Sequence, residues 1–245
     1  MISYRAALRG DWKYYIDEKE KINFGATISD NEYTALHIGA TLKSCKFARK
    51  LLHELDGLED LVVRNKSGNT AFCLAAGSGK LELAMEMIKV AQKMVNEKKY
   101  GNLELAMIKE KYGNLEEVEK MKNNGEYLAQ VKGNEEMSPL LLAVLFGHEE
   151  ITYWLYHLTK TSLKPPDRVE LFLALIKNGF HELALQLLKE HKELATAHDE
   201  IEKKETALHA LAQLPAANQQ GVWKRIKRCF NRCQFSSIFK LFTMP

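Results

Sequence analysis

No stretch of this sequence stays apolar for long: the longest such run, Leu140 to Phe146, falls far short of the roughly 20 residues that a bilayer span requires. The N-terminal residues carry Arg5 and Arg9 without the apolar segment that would follow them in a secretory leader. A soluble, intracellular and cytoplasmic protein is expected. Cysteine is scarce too. Cys45, Cys73, Cys229 and Cys233 include no Cys-x-x-Cys pair, which argues against both a disulfide framework and a zinc ribbon. Catalytic and cofactor-binding spacings are also missing. Gly77-Ser78-Gly79-Lys80 has Leu74 and Leu81 where a phosphate loop needs its first glycine and its Ser or Thr. His181-Glu182 meets Leu185 where a zinc protease has its second histidine. No catalytic residue, metal ligand, cofactor or small-molecule substrate is therefore expected. An enzyme whose site is assembled across distant parts of the chain is the remote alternative.

Charge of one sign is lacking over most of the chain. The formal net charge is +3, yet residues 216–245 hold six cations, Lys224, Arg225, Lys227, Arg228, Arg232 and Lys240, and no carboxylate. The body is of mixed sign, which disfavours nucleic acid as a partner, whereas the tail suits an anionic surface. Hydrophobic residues at 46% beside 27% charged ones exclude a disordered chain.

What the chain does contain is a recurring word. Thr34-Ala35-Leu36-His37-Ile38-Gly39-Ala40 returns as Thr70-Ala71-Phe72-Cys73-Leu74-Ala75-Ala76 and as Thr206-Ala207-Leu208-His209-Ala210-Leu211-Ala212. A looser copy is Ser138-Pro139-Leu140-Leu141-Leu142-Ala143. The starts at 34, 70, 138 and 206 stand 36, 68 and 68 residues apart, one, two and two units of about 34. That is the ankyrin period. It predicts an all-α ankyrin-repeat solenoid over residues 1–215, with about seven helix-turn-helix units starting near 1, 34, 70, 104, 138, 170 and 206. Each unit can bury its apolar stripe only against its neighbours.

Local chemistry fills in the units. The Thr34 hydroxyl is placed to accept the backbone N–H of His37 as a helix cap, and Pro139 falls at a first helical position, where its missing N–H costs nothing. Ser29-Asp30-Asn31-Glu32-Tyr33 and Asn65-Lys66-Ser67-Gly68-Asn69 read as finger turns, and Gly10, Gly79 and Gly147 as turns between paired helices. The first unit is clipped and acts as a cap. His37 and His209 are expected to hydrogen-bond neighbouring turns. Lys164-Pro165-Pro166-Asp167 reads as a loop before the sixth unit, and Pro215 replaces glycine in the seventh. The unit near 104 is degenerate. Gly79-Lys80-Leu81-Glu82-Leu83-Ala84-Met85 is echoed by Gly101-Asn102-Leu103-Glu104-Leu105-Ala106-Met107, but Glu104, Lys109 and Glu110 stand where Thr70, Ala75 and Ala76 stand one unit earlier. It reads as an extra unit slotted into the stack in phase. A long charged helix bulging from the solenoid is the competing reading.

Several words lie outside the repeat pattern or at its edges: Tyr4-Arg5-Ala6-Ala7-Leu8-Arg9-Gly10-Asp11-Trp12, Leu194-Ala195-Thr196-Ala197 and Gly221-Val222-Trp223-Lys224-Arg225. With Asn65-Lys66-Ser67-Gly68-Asn69-Thr70-Ala71 and Met137-Ser138-Pro139-Leu140, they give the sequence a resemblance to plant ankyrin-repeat membrane proteins of the accelerated-cell-death and salt-tolerance type. The resemblance covers most of residues 4–228. It implies a part in stress and defence signalling. In that family a C-terminal transmembrane domain with a Pro-Gly-Gly box follows the array; this sequence shows neither, and it departs also by the insertion after Gly79.

The expected function is a non-catalytic protein-binding scaffold. Exposed finger residues are its candidate contacts, because packing does not use them: Asp30, Asn31 and Tyr33 in one finger, Lys66 and Asn69 in the next, and Asn134, Glu135 and Glu136 in the unit starting near 138. Residues 216–245 form a basic aromatic tail, in which Trp223, Lys224, Arg225, Lys227, Arg228, Phe230 and Arg232 would meet either an anionic membrane or a partner. The alternative for the tail is a final helix docked on the seventh unit. The alternative for the whole is the cytosolic part of a membrane-associated signalling protein.

Overall fold

A computed structural model describes residues 2–18, 22–55, 57–97, 127–198 and 206–212. Among these residues the protein is all-α, with isolated bridges in place of strands. The chain divides into two compact units, Met1–Thr161 and Ser162–Pro245.

In the first unit, helices come in antiparallel pairs. α1 (Ile2–Arg9) pairs with α2 (Trp12–Asp17), and α3 (Ala35–Thr41) with α4 (Lys46–Leu52). After the short α5 (Glu59–Val62), α6 (Ala71–Gly77) pairs with α7 (Leu81–Asn96). A short α8 (Tyr127–Gln130) and a 3-10 turn at Asn134–Glu136 lead to α9 (Pro139–Leu145), which pairs with α10 (Glu149–Thr159). The first helices of the pairs, α1, α3, α6 and α9, stack side by side, and they share the core with buried Phe47, Leu51, Leu83 and Leu155 of the second helices.

The repeated word explains the starts of these helices. Thr34 Oγ1 accepts the His37 N–H at 3.3 Å, Thr70 Oγ1 that of Cys73 at 3.2 Å, and Ser138 Oγ that of Leu141 at 3.1 Å. A side-chain cap of this kind contributes about 1 kcal/mol, because an otherwise orphaned helix N–H is satisfied. The capping residue then turns the next positions inward, so that Ala35, Leu36, Ile38 and Ala40 are all buried. Within the α3–α4 hairpin, Gly39 permits close contact: a Cβ there would lie 3.0 Å from the Ala48 Cβ. The clipped first pair ends the core with aromatics. Tyr15 is wholly buried, packs edge-on to Phe47 at 5.2 Å, and donates its hydroxyl to the Ser3 carbonyl at 3.0 Å. Burial pushes its pKa up.

One expectation is corrected here. α6 and α9, whose caps stand two periods apart in the sequence, pack directly on one another. Three bonds tie the same two units: Cys73 Sγ donates to the Val131 carbonyl at 3.5 Å, the Asn134 N–H to Asn69 Oδ1 at 2.9 Å, and His148 Nε2 lies 2.9 Å from the Gly77 carbonyl. A repeat inserted in the stack would have separated these partners. Residues 98–126, which hold the degenerate copy, lie outside the described residues.

The second unit contains α11 (Pro165–Lys177), α12 (His181–Glu190), a 3-10 turn at Lys192–Ala195, and α13 (Ala207–Ala212), which packs on α11. Lys164-Pro165-Pro166-Asp167 is not a loop. Pro165 opens α11, where a proline lacks nothing the helix needs and its fixed φ suits the first turn. Lys164 before it is extended, as the residue preceding a proline must be (φ −78°, ψ 158°). The helix thus starts more than a turn before the unit boundary expected near 170. Pro215 and the basic tail, including Trp223, Lys224, Arg225, Lys227, Arg228, Phe230 and Arg232, lie outside the described residues.

Candidate protein-binding edge

The turns that precede the capped helices of the first unit meet one another in a row. The first finger closes through a bridge between Thr27 and Thr34, and the second through one between Arg64 and Thr70. The Lys66 N–H donates to the Asn31 carbonyl at 2.9 Å, joining the first finger to the second. Asn69 Oδ1 accepts the Asn134 N–H, joining the second to the third. Residues from three separate words therefore share one edge: Asp30, Asn31 and Tyr33, then Lys66 and Asn69, then Asn134, Glu135 and Glu136.

They are not equally available to a partner. The Asn69 side chain holds the third finger, and its carbonyl accepts both the Asn65 N–H at 2.9 Å and His37 Nε2 at 3.0 Å. Tyr33 is half-buried, with its ring 5.8 Å from that of His37. Both residues thus build the edge. Asp30, Asn31, Lys66, Asn134, Glu135 and Glu136 are exposed, and of these Asn31, Lys66 and Asn134 engage the neighbouring finger through main-chain atoms only.

His37 is the rivet beneath the first two fingers. Its Nδ1 accepts the Thr34 N–H at 3.2 Å and stands 2.8 Å from the Thr34 hydroxyl, so the proton sits on Nε2 and is donated to Asn69. The ring is buried, and burial lowers its pKa against the opposing pull of the Asn69 carbonyl. In the second unit, His209 repeats the near half of this arrangement, with Nδ1 2.9 Å from the Thr206 hydroxyl. Burial raises the pKa of the Cys73 thiol, which faces the Val131 carbonyl inside the stack.

The residue that sequence reasoning missed is Glu32. It has a φ of +58°, and Glu136 a φ of +57°, each two positions before a capping residue, where the second finger has Gly68 at +81°. An L-residue in the left-handed region costs about 1 kcal/mol or more, and glycine is its ordinary occupant. Glu135 at +53° adds a third left-handed glutamate. Aligning the three finger words on their caps carries the signal, since two of them place Glu where the remaining one has Gly.

Among the described residues, no group of three or more His, Cys, Asp or Glu side chains is placed to hold a metal ion, and no helix is long and apolar enough to cross a membrane. A comparison with protein-family models and with curated proteins finds no match to this chain.

Proposed function

We propose that the chain is an ankyrin-type repeat array acting as a non-catalytic scaffold that captures a protein partner on the finger edge of its first unit. The observation that carries this reading is the strained glutamate pair. Glu32 and Glu136 hold a costly backbone conformation on exposed tips, although Gly68 fills the equivalent place at no such cost. Left-handed strain kept at an exposed position fits a side chain retained for contact. The capped helices, the His37 rivet and the finger-to-finger bonds support the repeat reading, since together they stack units whose interior is used up by packing and whose tips are not. The resemblance to the plant ankyrin-repeat proteins supports a role in stress or defence signalling.

The test is a capture experiment with the chain and a variant carrying Glu32→Ala, Lys66→Ala and Glu136→Ala together. Partners enriched by the parent should be lost from the variant, while far-ultraviolet circular dichroism remains helical. Retention of the same partners by the folded triple variant would move the binding site off this edge.

A further inference from the structure

The turns at the far ends of the same stacked helices form a second row, with a different chemistry. They too touch in sequence. A Cβ on Gly10 would lie 3.6 Å from Leu42 Cδ1, the Lys80 ammonium donates to the Lys43 carbonyl at 3.2 Å, and His148 Nε2 reaches the Gly77 carbonyl. Along this row Arg9, Lys43 and Lys46 are exposed, and among the described residues none of them has a carboxylate partner. On the neighbouring second helices Arg49 pairs with Glu82, and His53 Nε2 lies 3.7 Å from Glu86 Oε1. Asp11, the carboxylate nearest in sequence to Arg9, caps α2 by accepting the Tyr14 N–H at 3.2 Å. At its last turn the row becomes apolar: Leu145 is 46% and Phe146 65% exposed, and a Cβ on Gly77 would meet the Phe146 ring at 3.5 Å.

Like charges held side by side repel, and a counter-charge arriving from outside relieves them. We propose that this turn row is a second docking surface, one that binds an acidic protein segment bearing an apolar side chain. Its carboxylates lie on Arg9, Lys43 and Lys80, and its apolar residue on Phe146. Charge complementarity selects the occupant. An anionic membrane fits less well, because Glu149 and Glu150 in the first turn of α10 are exposed beside Phe146 and would be pressed against headgroups of their own sign. The row spans about three helix-to-helix spacings of 8–10 Å, which an extended segment of about nine residues covers. This surface goes beyond the finger edge and lies at the other end of the same helices.

Fluorescence anisotropy on the full chain tests it. The probe is a labelled peptide of about ten residues with glutamates at one end and a Leu-Phe pair at the other, made in both orientations. One orientation should bind saturably and weaken as salt is raised. An Arg9→Glu and Lys43→Glu double variant should lose at least roughly tenfold in affinity, Phe146→Ser should also weaken binding, and the finger triple variant should bind as the parent does. Should the charge reversal unfold the chain, Arg9→Gln with Lys43→Gln carries the same prediction with a smaller loss. Absence of binding in both orientations, indifference to these substitutions, loss in the finger variant, or tighter binding to phosphatidylserine vesicles than to either peptide would each overturn the proposal. Failure here with the finger variant still losing its partners leaves the finger edge intact, so the two surfaces are tested apart.

Discussion

At the scale of single residues, the finger tips set stability against recognition. Replacing Glu32 or Glu136 by glycine removes the left-handed strain and returns part of the gain as unfolded-chain entropy, so each should raise stability by about 0.5–1 kcal/mol in urea unfolding. The same substitutions should weaken partner capture. A stabilised variant that captured its partner normally would show that the carboxylates are not used. His37 makes a prediction about pH. Burial lowers its folded-state pKa, so the unfolded chain binds the proton more readily and the neutral ring contributes stability that is fully present above about pH 6.5. That contribution is lost as pH falls through the folded value, because a proton on Nδ1 would face the Thr34 N–H. The stability gap between the parent and His37→Ala should therefore narrow from pH 7.5 towards pH 5. A gap that stays constant or widens would contradict the rivet.

At the scale of elements, what the sequence made legible was local. Thr34, Thr70 and Ser138 could be read as caps because a cap joins residues three apart, and Pro139 could be placed because helix starts tolerate proline by rule. The same rule applies at Pro165, in a stretch that reads as a loop and instead begins a helix. The finger edge was half legible. Turn words identified its residues, but the bonds from Lys66 to Asn31 and from Asn134 to Asn69 join residues far apart in the chain, and no local pattern announces them. Phase was the misleading signal. The distance from Thr70 to Ser138 is two periods, which suggests a unit in between, whereas α9 packs on α6 itself. A direct consequence can be measured. Replacing residues 98–126 with a Gly-Ser linker of about ten residues, which reaches about 30 Å when extended, should leave the remaining helices folded and the urea midpoint within about 0.5 M. Collapse of the cooperative transition would mean that the segment supports the stack.

At the scale of the whole molecule, the first unit offers two rows at opposite ends of one set of stacked helices. The finger row carries the strained glutamates, and the turn row carries Arg9, Lys43 and Lys46, which have no carboxylate partner among the described residues, and an exposed aromatic. The helices between them are occupied with burying one another, and the proposed function therefore places recognition at the rims. Hydrogen exchange read by mass spectrometry, with the chain free and in complex with a captured partner, tests the finger claim most directly. Residues 28–34, 64–70 and 132–138 should gain protection together, while α3, α6 and α9 exchange as slowly as before. Unchanged exchange in all three fingers, with protection appearing elsewhere, would contradict the finger edge as the binding site.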